Sequence, residues 1–168
     1  ADKLKLIENY KLLAKKDGEV DPTLGRAVFA KTCQGCHVLY GVGNKVGPDL
    51  TGSNRANLDY LLSNIVDPSA VLAKEYQQTI LVTADGRVLA GLVRSEDTKS
   101  VTLQTAEAIV VVPKDEIEER ILSDKSMMPE DQLKQFSEVE IRSLLAYVGG
   151  KKQTAMLATI GNQAGLFN

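Results

Sequence analysis

Cys33-Gln34-Gly35-Cys36-His37 gathers both cysteines and the single histidine of a 168-residue chain. What precedes it reads as a helix: Asp21 is a good N-cap, Pro22 suits the first helical position, and Leu24, Val28 and Phe29 form an apolar stripe. A thiol pair behind a helix does not match the strand-then-helix setting of a thioredoxin-type dithiol. A structural zinc site needs four ligands, and the two cysteines and one histidine supply three at most. Two readings remain, a plain disulfide and covalent haem attachment through C-x-x-C-H. In the second, both sulfurs form thioethers with the porphyrin vinyl groups and His37 is the proximal iron ligand. That reading gives both thiols and the imidazole a task.

The composition around this motif, 25% charged and 43% hydrophobic, is that of a soluble globular protein of one or two small domains. The longest apolar runs, such as Ile109-Val110-Val111-Val112, fall far short of the roughly 20 residues needed to cross a bilayer, so no integral membrane segment is expected. A net charge of −2 excludes a strongly basic nucleic-acid binder on global grounds. No basic, apolar leader precedes Ala1-Asp2-Lys3, so an export signal is expected to lie outside this sequence.

With His37 committed, a second axial histidine is impossible and the sixth-ligand candidates are Met127, Met128 and Met156. Context favours Met128, in Ser126-Met127-Met128-Pro129-Glu130, ahead of a helix capped by Ser137 with Glu140 completing a capping box. Ile141, Leu144, Leu145 and Val148 give that helix its apolar face. The ordinary use of a methionine is to fill core gaps, and the doublet leaves Met127 open beside Met128. At this point the chain resembles a class I cytochrome c, in which a Met-Pro pair shortly before a C-terminal helix supplies the distal ligand. Val46-Gly47-Pro48-Asp49-Leu50 resembles the family's Gly-Pro-x-Leu segment. The resemblance implies that the Pro48 carbonyl accepts the proximal histidine's Nδ1 hydrogen, fixing the ring and raising its basicity. An ordinary turn is the alternative for Gly47-Pro48. Gly25 and Phe29 are similar to the positions at which the family's N-terminal helix crosses the C-terminal one, here near Tyr147. Arg55, Lys45 and Tyr60 are candidates to reach the haem propionates, solvated surface being their ordinary role.

His37 and Met128 are 91 positions apart, too many for a minimal cytochrome of this class. Helical patterning through Leu58, Leu61, Leu62 and Ile65, and a short further helix expected from Ser69 to about Lys74, give way to a period of two. Tyr76 to Thr83, Arg87 to Ser95, Val101 to Thr105, Ile109 to Val112 and Ile117 to Leu122 read as five short strands, a small barrel or half-barrel. Without residues 75–122 the separation falls to 43. The segment around Asp85-Gly86-Arg87 resembles an Sm-like small barrel. Residues 21–150 together resemble the planctomycete and verrucomicrobial type of haem-binding domain, which carries a β-rich segment before a Ser-x-Met-Pro loop. An Sm-like barrel invites RNA, but residues 75–122 carry a net charge of −4, which suits phosphates poorly. A fragment this short has little core of its own and is expected to dock on the helical part.

The expected fold class is therefore α+β: a helical cytochrome c-type domain over residues 21–74 and 123–150, interrupted by a five-stranded Sm-like module over 75–122. An amphipathic helix with Leu4, Ile7, Tyr10, Leu13 and Ala14 inside occupies 1–20, and a tail with Leu157 and Ile160 as anchors occupies 151–168. The resemblance implies one covalent haem c per chain, held by Cys33 and Cys36 with iron between His37 and Met128, in an exported or periplasmic protein. The expected role is one-electron transfer rather than enzymatic turnover, as acceptor for an exported dehydrogenase whose docking is transient. The competing expectation is capture of carbon monoxide or nitric oxide at a site whose methionine is labile or absent. A peroxidase would need a distal acid–base group, and no second histidine exists to provide one.

Overall fold

The computed structural model describes residues 2–156. Four helices and a five-stranded antiparallel sheet make a mixed α+β fold. The first helix, α1 (Asp2–Lys15), ends ahead of Gly18, whose φ of +137° suits glycine. Helix α2 (Pro22–Thr32) begins as its sequence dictates: the Asp21 carboxylate accepts from the Thr23 amide at 2.9 Å and Pro22 opens the first turn. A two-stranded ribbon, β1 (Val38–Leu39) and β2 (Val42–Gly43), turns on Tyr40 and Gly41, both with positive φ, as a type I′ hairpin requires. Helix α3 (Leu58–Val66) follows, capped by Asn57. The last helix, α4 (Glu138–Val148), carries the full Ser137–Glu140 capping box.

The helices share one core. Phe29, Leu39, Leu62, Leu133 and Leu144 are its most buried large side chains. Helix α2 crosses α4 at Gly25, where an added Cβ would run into the Ser143 carbonyl and lie 2.7 Å from the Tyr147 Cβ. Only a residue without a side chain permits that approach, and it brings Phe29 edge-on to Tyr147 with ring centroids 5.6 Å apart. Helix α1 packs on α3 and α4 through Ile7 and Tyr10, with Leu6, Leu13 and Ala14 beside them. Leu4 corrects the expected stripe: it is 70% exposed, and Leu6 takes its place against the core. Buried Arg142 ties the linker after α1 to α4, donating to the carbonyls of Lys16, Gly18 and Glu19.

The expected helix from Ser69 to Lys74 does not form. Residues 68–71 are turns and bends, and a single 3₁₀ turn spans Lys74–Tyr76. Pro68 and Ser69 favour turns, and a helix this short is marginal on its own. The five expected strands are all present as β3 (Gln77–Thr83), β4 (Val88–Glu96), β5 (Ser100–Gln104), β6 (Ile109–Pro113) and β7 (Ile117–Ser126). They lie in the order β6-β5-β4-β3-β7, so the last strand returns beside the first. Leu81, Val101, Leu103 and Val112 form a second core, separate from that of the helices. Strand β7 runs four residues beyond the expected Leu122, directly into the Met127-Met128 loop. Its end is held to the segment after α3, where the Ser126 amide donates to the Ser69 hydroxyl at 2.9 Å. No helix among the described residues is long and apolar enough to cross a membrane. Leu157 and Ile160, expected as anchors of the tail, lie outside the described residues.

Candidate cofactor site

Helix α2 delivers Cys33 as its C-cap, the Cys33 amide donating to the Phe29 carbonyl at 2.8 Å. The chain then tightens: the amides of Cys36 and His37 both donate to the Cys33 carbonyl, at 3.1 and 3.0 Å. This turn fixes the two thiols and the imidazole relative to the helix end. Both cysteines are free, which sets aside the plain disulfide for this conformation. Cys33 packs against the helical core, and burial, reinforced by the neighbouring Cys36, pushes its thiol up to about 12. A nucleophilic thiol needs a lowered pKa, so Cys33 is not built as one. Among the described residues no three Cys, His, Asp or Glu side chains converge as a metal chelate.

The segment from Gly43 to Pro48 wraps the motif. The Asn44 amide donates to the Gln34 carbonyl, and the amides of Val46 and Gly47 both donate to the Cys36 carbonyl, at 3.1 and 2.7 Å. Gly43, with φ of +124°, lies so close to the His37 carbonyl that a side chain there would collide with it. Gly47 lies against the imidazole, where a Cβ would stand 2.7 Å from Cε1 and 3.0 Å from Nδ1. The His37 Nδ1–H donates to the Pro48 carbonyl at 2.8 Å. A carbonyl can only accept, so Nδ1 carries a hydrogen, and Nε2 is the nitrogen left to bind a metal. That is the orientation an iron ligand requires.

The remaining candidates separate by their surroundings. Met128 and Met127 both lie half-buried in the loop after β7, while Met156 is 71% exposed. The Met128 amide donates to the Ser126 hydroxyl at 3.1 Å, a local turn that sets the loop's direction. Beyond Pro129, Asp131 in the left-handed region donates its amide to the Ile65 carbonyl and accepts from the Tyr10 hydroxyl at 2.8 Å. Lys3 pairs with Glu130 and Asp67. Helices α1 and α3 thus hold the loop's far end, and β7 its near end. Leu133, just after the loop, is fully buried in the core that Cys33 also packs against.

Arg55 has a task the sequence did not announce. Its guanidinium lies 4.8 Å over the Tyr40 ring and donates to the carbonyls of Leu50, Thr51, Val148 and Gly150 and to the Tyr40 hydroxyl. It caps the end of α4 and joins it to the loop after Pro48. Lys45 and Tyr60 are exposed. Tyr40, missed in the sequence, completes this junction by donating to the Gly150 carbonyl. Its signal was the Tyr40-Gly41 turn, which predicts a hairpin but not the reach of the phenol.

A covalently attached haem would need two unbridged thiols one turn apart, a histidine already oriented by its second nitrogen, and close backbone approach beside the ring. Cys33, Cys36, His37, Pro48 and the two glycines 43 and 47 meet those demands. The chain matches no protein-family model and no curated protein.

Proposed function

We propose that this chain is a monohaem c-type cytochrome whose work is one-electron transfer. The observation that carries the reading is the 2.8 Å bond from His37 Nδ1 to the Pro48 carbonyl, made within a C-x-x-C-H turn whose cysteines are free. Haem bound there supplies a one-electron couple whose potential is set by its axial ligands and their surroundings. The residues of this chain do the positioning. Cys33 and Cys36 would anchor the porphyrin covalently, Pro48 holds the His37 ring, and Gly47 keeps the ring's flank clear. Met128 would be the distal ligand, on a loop fixed at both ends and so able to keep one geometry in both oxidation states. An acceptor for an exported dehydrogenase is the partner this reading implies, docking transiently as electron-transfer proteins do.

The test is expression with the haem-ligation machinery of an oxidising compartment, followed by denaturation to ask whether haem stays on the chain. The oxidised protein is then examined for the weak long-wavelength charge-transfer band of a methionine–ferric bond. Expected is one covalent haem per chain and a band lost in Met128→Ala and kept in Met127→Ala. A chain that takes up no covalent haem sinks the reading. Covalent haem with high-spin iron and rapid carbon monoxide binding would move it to gas capture.

A further inference from the structure

Strand β4 carries a β-bulge between Val93 and Ser95: Val93 pairs with Leu103 and Ser95 with Thr102, so Arg94 is the extra residue with no partner opposite. Bulges re-aim a side chain, and this one sends Arg94 out of the sheet. Its Nη2 donates to the carbonyl of Lys45 at 2.9 Å and to that of Val46 at 3.1 Å. The other arginines of the β module are ion-paired within it, Arg87 with Asp85 and Glu116, Arg120 with Glu96. Arg94 instead spans 48 positions to a loop of the helical part. Val46 is buried there, and its amide and that of Gly47 are the ones bound to the Cys36 carbonyl. One residue further on is Pro48, which holds the His37 ring.

We infer that Arg94 is a positioning residue for His37, through which the β module holds the proximal loop and so tunes the iron site; this rests on the haem reading above. The physical chain is short. Two charge-assisted hydrogen bonds from one planar nitrogen fix the carbonyls of Lys45 and Val46. Those peptides carry Gly47 against the imidazole and the Pro48 carbonyl onto Nδ1, and the strength of that last bond sets how basic the ligating nitrogen is. Removing the anchor gives the loop freedom to move away from the ring, weakens the Nδ1–H bond and makes the imidazole a poorer donor to ferric iron. The potential then rises. Losing a nearby positive charge acts the other way, which is why the test separates charge from anchoring.

The experiment uses the full chain as purified, in wild type, Arg94→Gln and Arg94→Lys. Covalent haem content is read first, then amide hydrogen exchange at Val46 and Gly47, the midpoint potential, and, with each Arg94 variant rebuilt on a Met128→Ala background so that His37 is the one axial ligand, the iron–histidine stretching frequency of the reduced protein. In Arg94→Gln the expected results are unchanged haem content, at least tenfold faster exchange at Val46 and Gly47, and a lower stretching frequency. Arg94→Lys keeps the charge and has three donors on a shorter reach, and should restore part of both changes. Unchanged exchange and frequency in Arg94→Gln would overturn the inference. So would faster exchange spread equally over the sheet, which would mark Arg94 as a stabiliser of the β module alone. If wild type carries no covalent haem, the haem reading fails by itself, and the exchange measurement still reports whether Arg94 holds the loop.

Discussion

Gly47 shows how much of the candidate site depends on one absent side chain. A methyl group there would meet His37 Cε1 at 2.7 Å and Nδ1 at 3.0 Å, too close for either to stay in place. The ring cannot swing away without breaking the bond to Pro48, and the loop cannot lift without breaking the Val46 and Gly47 amide bonds to Cys36. Gly47→Ala is therefore expected to destabilise the chain by about 1–3 kcal/mol, the range for overpacking a close-fitted site. Chemical denaturation checks this as a lower midpoint with an unchanged slope. Gly52→Ala is the control, since a Cβ there meets nothing within 4 Å. The pairing of Gly47-Pro48 with His37 was expected only through the resemblance of Val46 to Leu50 to a family segment, the residue types by themselves being compatible with an ordinary turn. The role of Arg55 was not legible in the sequence. Its acceptors are mostly backbone carbonyls, two of them on residues 93 and 95 positions away, and a carbonyl has no residue type to read. Arg94 was hidden for the same reason.

Among the elements, the caps of α2 and α4 were read correctly because Asp21, Ser137 and Glu140 act on amides only two or three positions away and Pro22 acts through its own fixed φ. Periodicity did less well where neighbours compete. In α1 both Leu4 and Leu6 fit an apolar stripe, and only packing on α3 and α4 selects Leu6. The end of β7 escaped notice because Ser123-Asp124-Lys125-Ser126 has no alternation, its extension resting on cross-strand pairing with Gln77. The ion-pair cluster that joins the strands was equally invisible. It gathers Glu96 at the end of β4, Arg120 of β7 and Lys114 just after β6, so that one carboxylate ties the two edge strands. The Arg120 and Lys114 hydrogen bonds hold the Glu96 carboxyl at about 2, well below its ordinary 4.5. A carboxylate depressed in the folded state adds stability above its unfolded pKa and loses it as pH falls through the folded value. The tie is thus expected to be complete above pH 4.5 and to fail between there and about 2. Carbon-detected NMR titration of the Glu96 carboxyl would show the midpoint near 2, moving towards 4.5 as salt screens the exposed pairs. In Glu96→Gln the acid sensitivity of the β4 and β7 amides in that window should vanish, and its persistence would place the acid-labile contact elsewhere.

At the level of the whole molecule, the β module touches both loops that matter. Arg94 holds the segment beside His37, and β7 runs straight into the loop bearing Met127 and Met128. The far side of that loop belongs to α1, through Tyr10 to Asp131 and Lys3 to Glu130. Burial and the bond to Asp131 raise the Tyr10 phenol above its ordinary pKa, so it remains a donor across the physiological range. An amphipathic N-terminal helix that packs on the domain was foreseeable; that it clasps the methionine loop was not, because 121 positions separate Tyr10 from Asp131. The clasp bears on the choice between electron transfer and gas capture, since ligand capture needs the loop to open first. Tyr10→Phe removes one hydroxyl donor to a carboxylate and keeps the ring in the core, costing about 1.5–3 kcal/mol if the loss falls on the closed state alone. Each 1.4 kcal/mol is a factor of ten in the opening equilibrium, so the open population should grow at least tenfold. Two measurements on the haem-loaded chain follow from this. Hydrogen exchange at the Asp131 amide should quicken by that factor, and carbon monoxide binding to the reduced protein should accelerate in parallel. Faster exchange without faster binding would mean that the clasp holds α1 to the domain but that opening of the methionine loop does not limit access to the iron.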